Sequence, residues 1–420
     1  MRLRLTLLFV AGILLRIALL PAQGYKGDVT TFEDWMLALG SHGPRQLYAD
    51  VSGATFPRVD YAPGYFFLLW PLAALYVHVI APWQPERGIV ILIFAKAIPI
   101  LADLVLAAAV YRMALAAGSR TGALLACSLA LLAPTFWLVS AYWGQADSVA
   151  VAFLALAGAD ALAERSISPW LWLAAAVLVK PQPLAFAPLL LTWQLRRHGF
   201  ERSFVWAALG VASLAYVVAL PFAPSARPDS TLGWLVGRYL FGYDKYPWDT
   251  ASAWNVYAIA GPMYASDARQ VFGLSLHAWG FLLSIGMVVA VCVHLWRTLA
   301  DADATGRARS LLLAGTVALA APYMLATRMH ERYLLSALAL ASVVATFAPR
   351  LRLPIGGLIA IFAICCAFVM AGFFGGHHHP WTLTVVHLLA AVNVLLYAAL
   401  AGAFFFGGLT PGRAPGRLRH

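Results

Sequence analysis

The sequence predicts an all-α polytopic membrane protein. Three observations carry that prediction. Of 420 residues, 62% are hydrophobic and only 11% are charged. Apolar runs of about 18 residues or more, long enough for a helix to cross hydrocarbon, recur along the whole chain. The basic residues gather in short loops between those runs, as membrane topology places them. The net charge of +11 therefore points to no nucleic-acid partner. A single transmembrane domain, 1–420, is expected.

The first run, 4–22, follows a basic start and resembles a secretory leader. Arg16 interrupts it and no small-residue cleavage site follows, so it is read as an uncleaved span. The later stretches are 63–80, 88–112, 121–139, 148–164, 169–180, 183–195, 203–222, 273–296, 308–326, 332–348, 354–372 and 381–406. Loops holding Arg2/Arg4, Arg112/Arg120, Arg165, Arg196/Arg197/Arg202, Arg297/Arg307/Arg309, Arg350/Arg352 and the tail Arg413/Arg417/Arg419 are assigned to the cytoplasm, with both termini. Loops 140–147, 180–183, 223–272, 327–331 and 373–380 then face outward.

One stretch breaks the alternation. If 63–80 crossed, Arg112 and every later basic loop would lie on the wrong side. Its internal Pro71, polar flanks and five aromatics suit a segment lying along the outer surface. A hairpin broken at Pro99 would also restore the alternation, but leaves two spans too short. Residues 23–87 are therefore read as one outer loop with 63–80 non-spanning, 223–272 as a long outer loop, and about twelve helices as spans. The four cysteines sit in apolar segments without metal-ligand spacing and are read as packing residues.

Polar groups collect on the outer face. They are Asp28, Glu33 and Asp34 within GDVTTFEDW (27–35), Asp60-Tyr61, the run Tyr142-Trp143-Gly144-Gln145-Ala146-Asp147-Ser148, Lys180-Pro181-Gln182-Pro183, and Thr327-Arg328-Met329-His330-Glu331-Arg332-Tyr333. A carboxylate there can serve as general base toward a hydroxyl. Arg, Lys and His where an outward-facing helix begins suit a phosphate. The pattern points to chemistry on a hydroxyl and a lipid-linked phosphate.

Structural roles compete for most of these residues. Asp147-Ser148 can cap the following helix, Lys180 can snorkel to the interface, and Glu331 can pair with Arg328 or Arg332. Lys96 and Asp103, seven apart on one helix face, are costly in lipid and suit helix packing or pairing. Arg16 suits an acidic partner or a lipid phosphate. His377-His378-His379 cannot readily aim three rings at one ion and is read as a solvated loop. Asp28 follows Gly27 on what is read as a non-helical approach, with no structural task in view.

The motifs carry a resemblance. Gly-Asp-x-x-x-Phe-x-x-Trp (27–35), Asp-Tyr-x-Pro-Gly-Tyr (60–65), Lys-x-x-Pro-x-Leu-Ala-Asp-Leu (96–104), Trp-Gly-Gln-Ala-Asp-Ser (143–148), Lys-Pro-Gln (180–182) and Thr-Arg-Met-His-Glu-Arg-Tyr-Leu (327–334) resemble the polytopic GT-C glycosyltransferases. The set is similar to bacterial mannosyltransferases related to the second mannosyltransferase of GPI-anchor synthesis, and to the glucosyltransferases that extend dolichol-linked oligosaccharides. It covers about three quarters of the chain.

The resemblance implies a GT-C fold with juxtamembrane helices in the first outer loop. It implies inverting transfer of a hexose, mannose before others, from a polyprenyl-phosphate-linked donor to a hydroxyl of a lipid-linked or cell-envelope glycan. The reaction would face the non-cytoplasmic side of a bacterial-type cell membrane. Asp28 carries over as the catalytic base. Glu33, Asp34, Asp60, Tyr61, Gln145 and Asp147 would position the acceptor or the loop, and Lys180, Arg328, His330 and Arg332 would bind the donor phosphate. The first loop has no Asp-x-Asp, so neither a metal-dependent pyrophosphate donor nor a cofactor is expected; Arg and Lys can neutralise a lipid monophosphate. The rivals are a non-catalytic membrane scaffold and a transporter or lipid flippase without transferase activity. A transporter would place polar groups near the midplane, in broken helices and repeats.

Overall fold

Apolar runs bounded by Pro, Gly and capping residues fold as helices throughout. In chain order these are α1 (Arg2–Leu19), α2 (Lys26–Tyr48), α3 (Pro63–Leu75), α4 (Ile89–Ala116), α5 (Arg120–Leu132), α6 (Pro134–Trp137), α7 (Asp147–Leu162) and α8 (Ser168–Val179). They continue as α9 (Ala187–Arg197), α10 (Arg202–Ala219), α11 (Pro228–Asp244), α12 (Leu276–Thr298), α13 (Ala304–Leu325), α14 (Leu335–Phe347), α15 (Arg352–Met370) and α16 (Pro380–Phe406). α3 runs on as a π turn, Tyr76–Ile80, and α6 as another, Leu138–Trp143. The computed structural model describes residues 2–49, 59–83, 88–300, 302–372 and 380–407. The triple histidine and the tail arginines lie outside the described residues.

Each of the twelve stretches read as spans coincides with a helix. By length and composition, eight helical segments among the described residues can cross a membrane, and one of them is Pro63–Ile80. α7, α8, α9 and α14 hold only 16, 12, 11 and 13 residues, short of the ~20 a lone span needs. α7 and α14 are buried along almost their whole length, so they need not match the thickness of lipid. Their alanine-rich faces let α4, α5, α7, α13 and α14 approach closely and form the core.

The two ends of this bundle differ in chemistry. At one end Asp160 on α7 binds Arg112 at 3.0 Å and Arg165 at 3.1 Å, and Arg197 lies 3.1 Å from Glu164. The motif residues gather at the other end. Each buried charge between them has a partner, although Asp103 Oδ1 accepts no hydrogen bond. Arg16 pairs with Asp103 at 2.7 Å, and Ser140 also donates to Asp103. Lys96 does not pair with Asp103. Its ammonium donates to the carbonyls of Ala141 (2.9 Å), Tyr142 (3.0 Å), Leu20 (3.3 Å) and Ala22, clasping the end of α1 to the π turn before Gly144.

α2 and α3 run side by side in the same direction. Phe32 meets Tyr65 and Trp35 meets Phe66, each at 5.5 Å between rings, and Gly40 abuts Ala73. Tyr65 donates to the Ala95 carbonyl, while Tyr76 lies 5.4 Å from the Phe94 ring. Residues eleven apart on α3 and its π turn, about 16 Å along a helix, thus reach the same turn of α4. α3 crosses α4 instead of running alongside it. Gly64 is seated directly on α8: an added Cβ would fall 2.4 Å from the Leu178 carbonyl oxygen.

Candidate active-site cleft

Asp28 stands in the first turn of α2, not on the non-helical approach expected. The apolar face beginning at Val29 and Phe32 draws Lys26–Gly27–Asp28 into the helix, whose N-terminal dipole favours a carboxylate there. Its Oδ2 accepts from the Gln145 amide at 2.7 Å and the Trp143 indole at 3.1 Å, with the Arg332 guanidinium at 3.5 Å. Tyr61 donates to Gln145 Oε1 at 3.2 Å. This fixes the amide so that its NH2 faces Asp28. Asp28, Thr31, Phe32 and Trp35 form the face of α2 that lines the cleft. Glu33 and Asp34 lie off that face, and Glu33 is buried.

The alternatives for Asp147 and Lys180 do not hold. Ala146, not Asp147, takes the cap position of α7, and no side chain caps there. Asp147 lies in the first turn and binds Lys180 at 2.7 Å, with both side chains 6% exposed. Pro181 ends α8 and turns Lys180 inward, under the rings of Tyr61 (4.7 Å) and Tyr333 (5.5 Å). Arg332 lies over the Trp143 ring at 4.6 Å, 3.5 Å from Asp147 and 2.6 Å from buried Glu331. The pairing role expected for Glu331 is therefore filled by Arg332.

Asp60 reaches outward to Lys245 (2.7 Å) and Tyr246 (3.2 Å) of the long loop. Arg328 sits in the left-handed region, φ 64, and is drawn the same way: Nε lies 2.7 Å from Asp267 and a terminal nitrogen 3.1 Å from Asp244. Backbone bonds from Arg328 to Trp248 and from Ala251 to Met329 complete the seam. His330 packs against Tyr246 and Tyr333. Burial, then the charges of Arg332, Lys180 and Lys245, hold its imidazole well below 6.5. At neutral pH it is a neutral hydrogen-bonding group, where the sequence suggested a cation.

These residues meet in a cleft of about 990 Å³. Asp28, Asp60, Lys180, His330 and Arg332 line its polar part. Its apolar part runs between α9, α12 and α13, lined by Leu184, Phe281, Ile285, Val288 and Leu319. Phe281 and Ile285 are exposed, so this apolar part is open and not sealed inside the bundle. Sequence reasoning left Trp143 and Arg238 out of the site. Trp143 opens the Trp-Gly-Gln-Ala-Asp-Ser motif but carries no assigned role in it. Arg238 is the sole basic residue within α11, and that isolation was its signal.

Fold and site together define a helical polytopic membrane protein with a carboxylate- and cation-lined cleft at one end. No family model and no curated protein matches the chain. Among solved structures, it is similar to the archaeal oligosaccharyltransferase AglB from Archaeoglobus fulgidus in complex with an inhibitory peptide and a dolichol-phosphate. That similarity has a TM-score of 0.45 and 12% identity, over 98% of this chain and 56% of the other. The apo form of the Archaeoglobus fulgidus oligosaccharyltransferase gives 0.45 and 13%, over 98% and 57%. The chain thus spans little more than half the length of these proteins. The chemistry of the cleft rests on its own residues.

Proposed function

We propose that the protein is a membrane glycosyltransferase. It moves a hexose, mannose before others, from a polyprenyl-phosphate sugar to a hydroxyl of a lipid-linked or cell-envelope glycan. One observation carries this reading: a single cleft leads from an oriented carboxylate, past Lys180 and Arg332, into an apolar groove bordered by exposed Phe281 and Ile285. Such a groove accepts a polyprenyl chain while the cations receive its phosphate.

In this reading the three donors on Asp28 Oδ2 leave Oδ1 for the acceptor hydroxyl. Asp28 takes the hydroxyl proton as the oxygen bonds to the anomeric carbon, on the face opposite the phosphate. The bond from that carbon to the phosphate oxygen breaks, its electron pair leaves with the polyprenyl phosphate, and the configuration inverts. Lys180 and Arg332 offset the charge gathering on the phosphate, and neutral His330 donates one hydrogen bond. Arg328, already bound to Asp267 and Asp244, anchors the 223–272 loop beside the phosphate. Gln145 and Tyr61 orient the base; Asp147 places Lys180; Asp60 holds Lys245; Glu33 and Asp34 fix α2. No metal takes part.

The same reading lays α2 and α3 along the outer surface, with 63–80 not crossing and the cleft on the non-cytoplasmic side. A transporter would use deep charge, yet Arg16, Asp103 and Lys96 are bound to one another or to carbonyls. The test incubates purified protein with a panel of polyprenyl-phosphate hexoses and extracted membrane lipids, in the presence of a chelator. Transfer from at least one donor is expected. No transfer, with movement of the same lipids across vesicle bilayers, would replace the transferase by a flippase.

A further inference from the structure

Most cations of the cleft are already matched. Lys180 pairs with Asp147, Lys245 with Asp60, Arg328 with Asp267 and Arg332 with Glu331. Arg238 is not. Among the described residues no carboxylate lies within ion-pair distance of it, and its Nε is buried without a hydrogen-bond partner. It nevertheless lines the cleft. The guanidinium has the Phe241 ring 5.1 Å from one side. A buried N–H without an acceptor is destabilising, and a planar guanidinium fork fits a phosphate.

The surroundings of Arg238 are built. Tyr239 donates to the Val177 carbonyl at 2.8 Å, and Trp234 meets Tyr48 at 5.2 Å between rings, so α11 is pinned to α8 and α2. This places Arg238 on the α8 side of the cleft. The α12 side begins more than a helical turn later, where Tyr243 meets His277. Leu240 and Tyr243, both exposed, line the same cleft as Arg238. A cation lacking an anion thus shares the cleft with uncovered apolar side chains.

We infer that Arg238 is an anion subsite for the acceptor, which carries a phosphate and lays an apolar chain through the cleft past Leu240. This deepens the transferase reading and rests on it for the word acceptor. The subsite itself can be tested without catalysis. Full-length protein in phosphatidylcholine nanodiscs is titrated with phosphatidic acid, and bound lipid is read by native mass spectrometry. Arg238→Ala is expected to weaken phosphatidic acid binding about tenfold or more. Arg238→Lys should fall between, which guards against a folding defect in the alanine variant. Polyprenyl phosphate should bind both variants as it binds the unaltered protein.

Equal phosphatidic acid binding by the unaltered protein and Arg238→Ala overturns the inference. Loss of polyprenyl phosphate instead would move Arg238 to the donor and also overturn it. Full competition by inorganic phosphate would assign the anion to a soluble source and remove the lipid part. If no donor supports transfer while Arg238-dependent binding persists, the transferase reading fails and the phosphate subsite stands.

Discussion

Asp28 differs from the two carboxylates beside it by what surrounds it, not by its chemistry. It faces the cleft with one oxygen held by Gln145, Trp143 and Arg332, whereas Glu33 and Asp34 point off that face. Glu33→Gln and Asp34→Asn should therefore leave transfer within about tenfold of the unaltered protein, well short of the loss from removing a base. Initial-rate measurements check this, and a collapse in either variant would move the base. His330 gives a prediction in pH. Its folded pKa is depressed below the 6.5 of the unfolded chain, so its stability contribution is complete above 6.5. That contribution is lost as pH falls toward the folded value. The thermal midpoint should drop as pH falls below 6.5, less steeply in His330→Gln. Parallel slopes would clear His330 of that role. Asp28, Gln145 and Lys180 were legible because each is a polar residue amid apolar sequence at an outer loop. The partner of Asp147 was not, since Lys180 lies 33 positions away and only folding joins them.

The elements the sequence made legible are those with long apolar runs. α11 was hidden inside a stretch read only as a loop, and α2 was masked by the glycines, histidine and proline that dilute its apolar face. α2 also kinks at Gly43, whose φ of 80 precedes Pro44. The Asp-Tyr-x-Pro-Gly-Tyr motif gains a physical reading from its neighbours. Pro63 starts α3, and Gly64 admits the Leu178 carbonyl where any Cβ would collide. Gly64→Ala should lower stability by about 1–3 kcal/mol, the usual range for overpacking. It should also slow transfer, because Tyr61 would shift with α3. Gly233→Ala is the contrast: it lies within α11 with nothing within 4 Å of an added Cβ. That change should stabilise by roughly 0.5–1 kcal/mol. Thermal unfolding of the two variants side by side checks the sign of each.

On the scale of the whole molecule, the arginine-bearing loops and the motif-bearing loops occupy opposite ends, as the positive-inside reading of the sequence arranges them. The membrane position of α3 follows from that reading together with its crossing of α4. Cysteines placed at Ser41 and Trp83, both exposed, should react with an impermeant thiol reagent in intact cells, while one at Arg165 should not. Labelling at Ser41 without Trp83 would mean that 63–80 crosses. The central claim is that Asp28 is the base of a sugar transfer from a lipid phosphate. Single-turnover transfer by Asp28→Asn, with donor bound to saturation, tests it most directly. The account predicts unchanged donor binding and a transfer step at least about 100-fold slower. A transfer step near the unaltered rate, with the donor consumed, would contradict it.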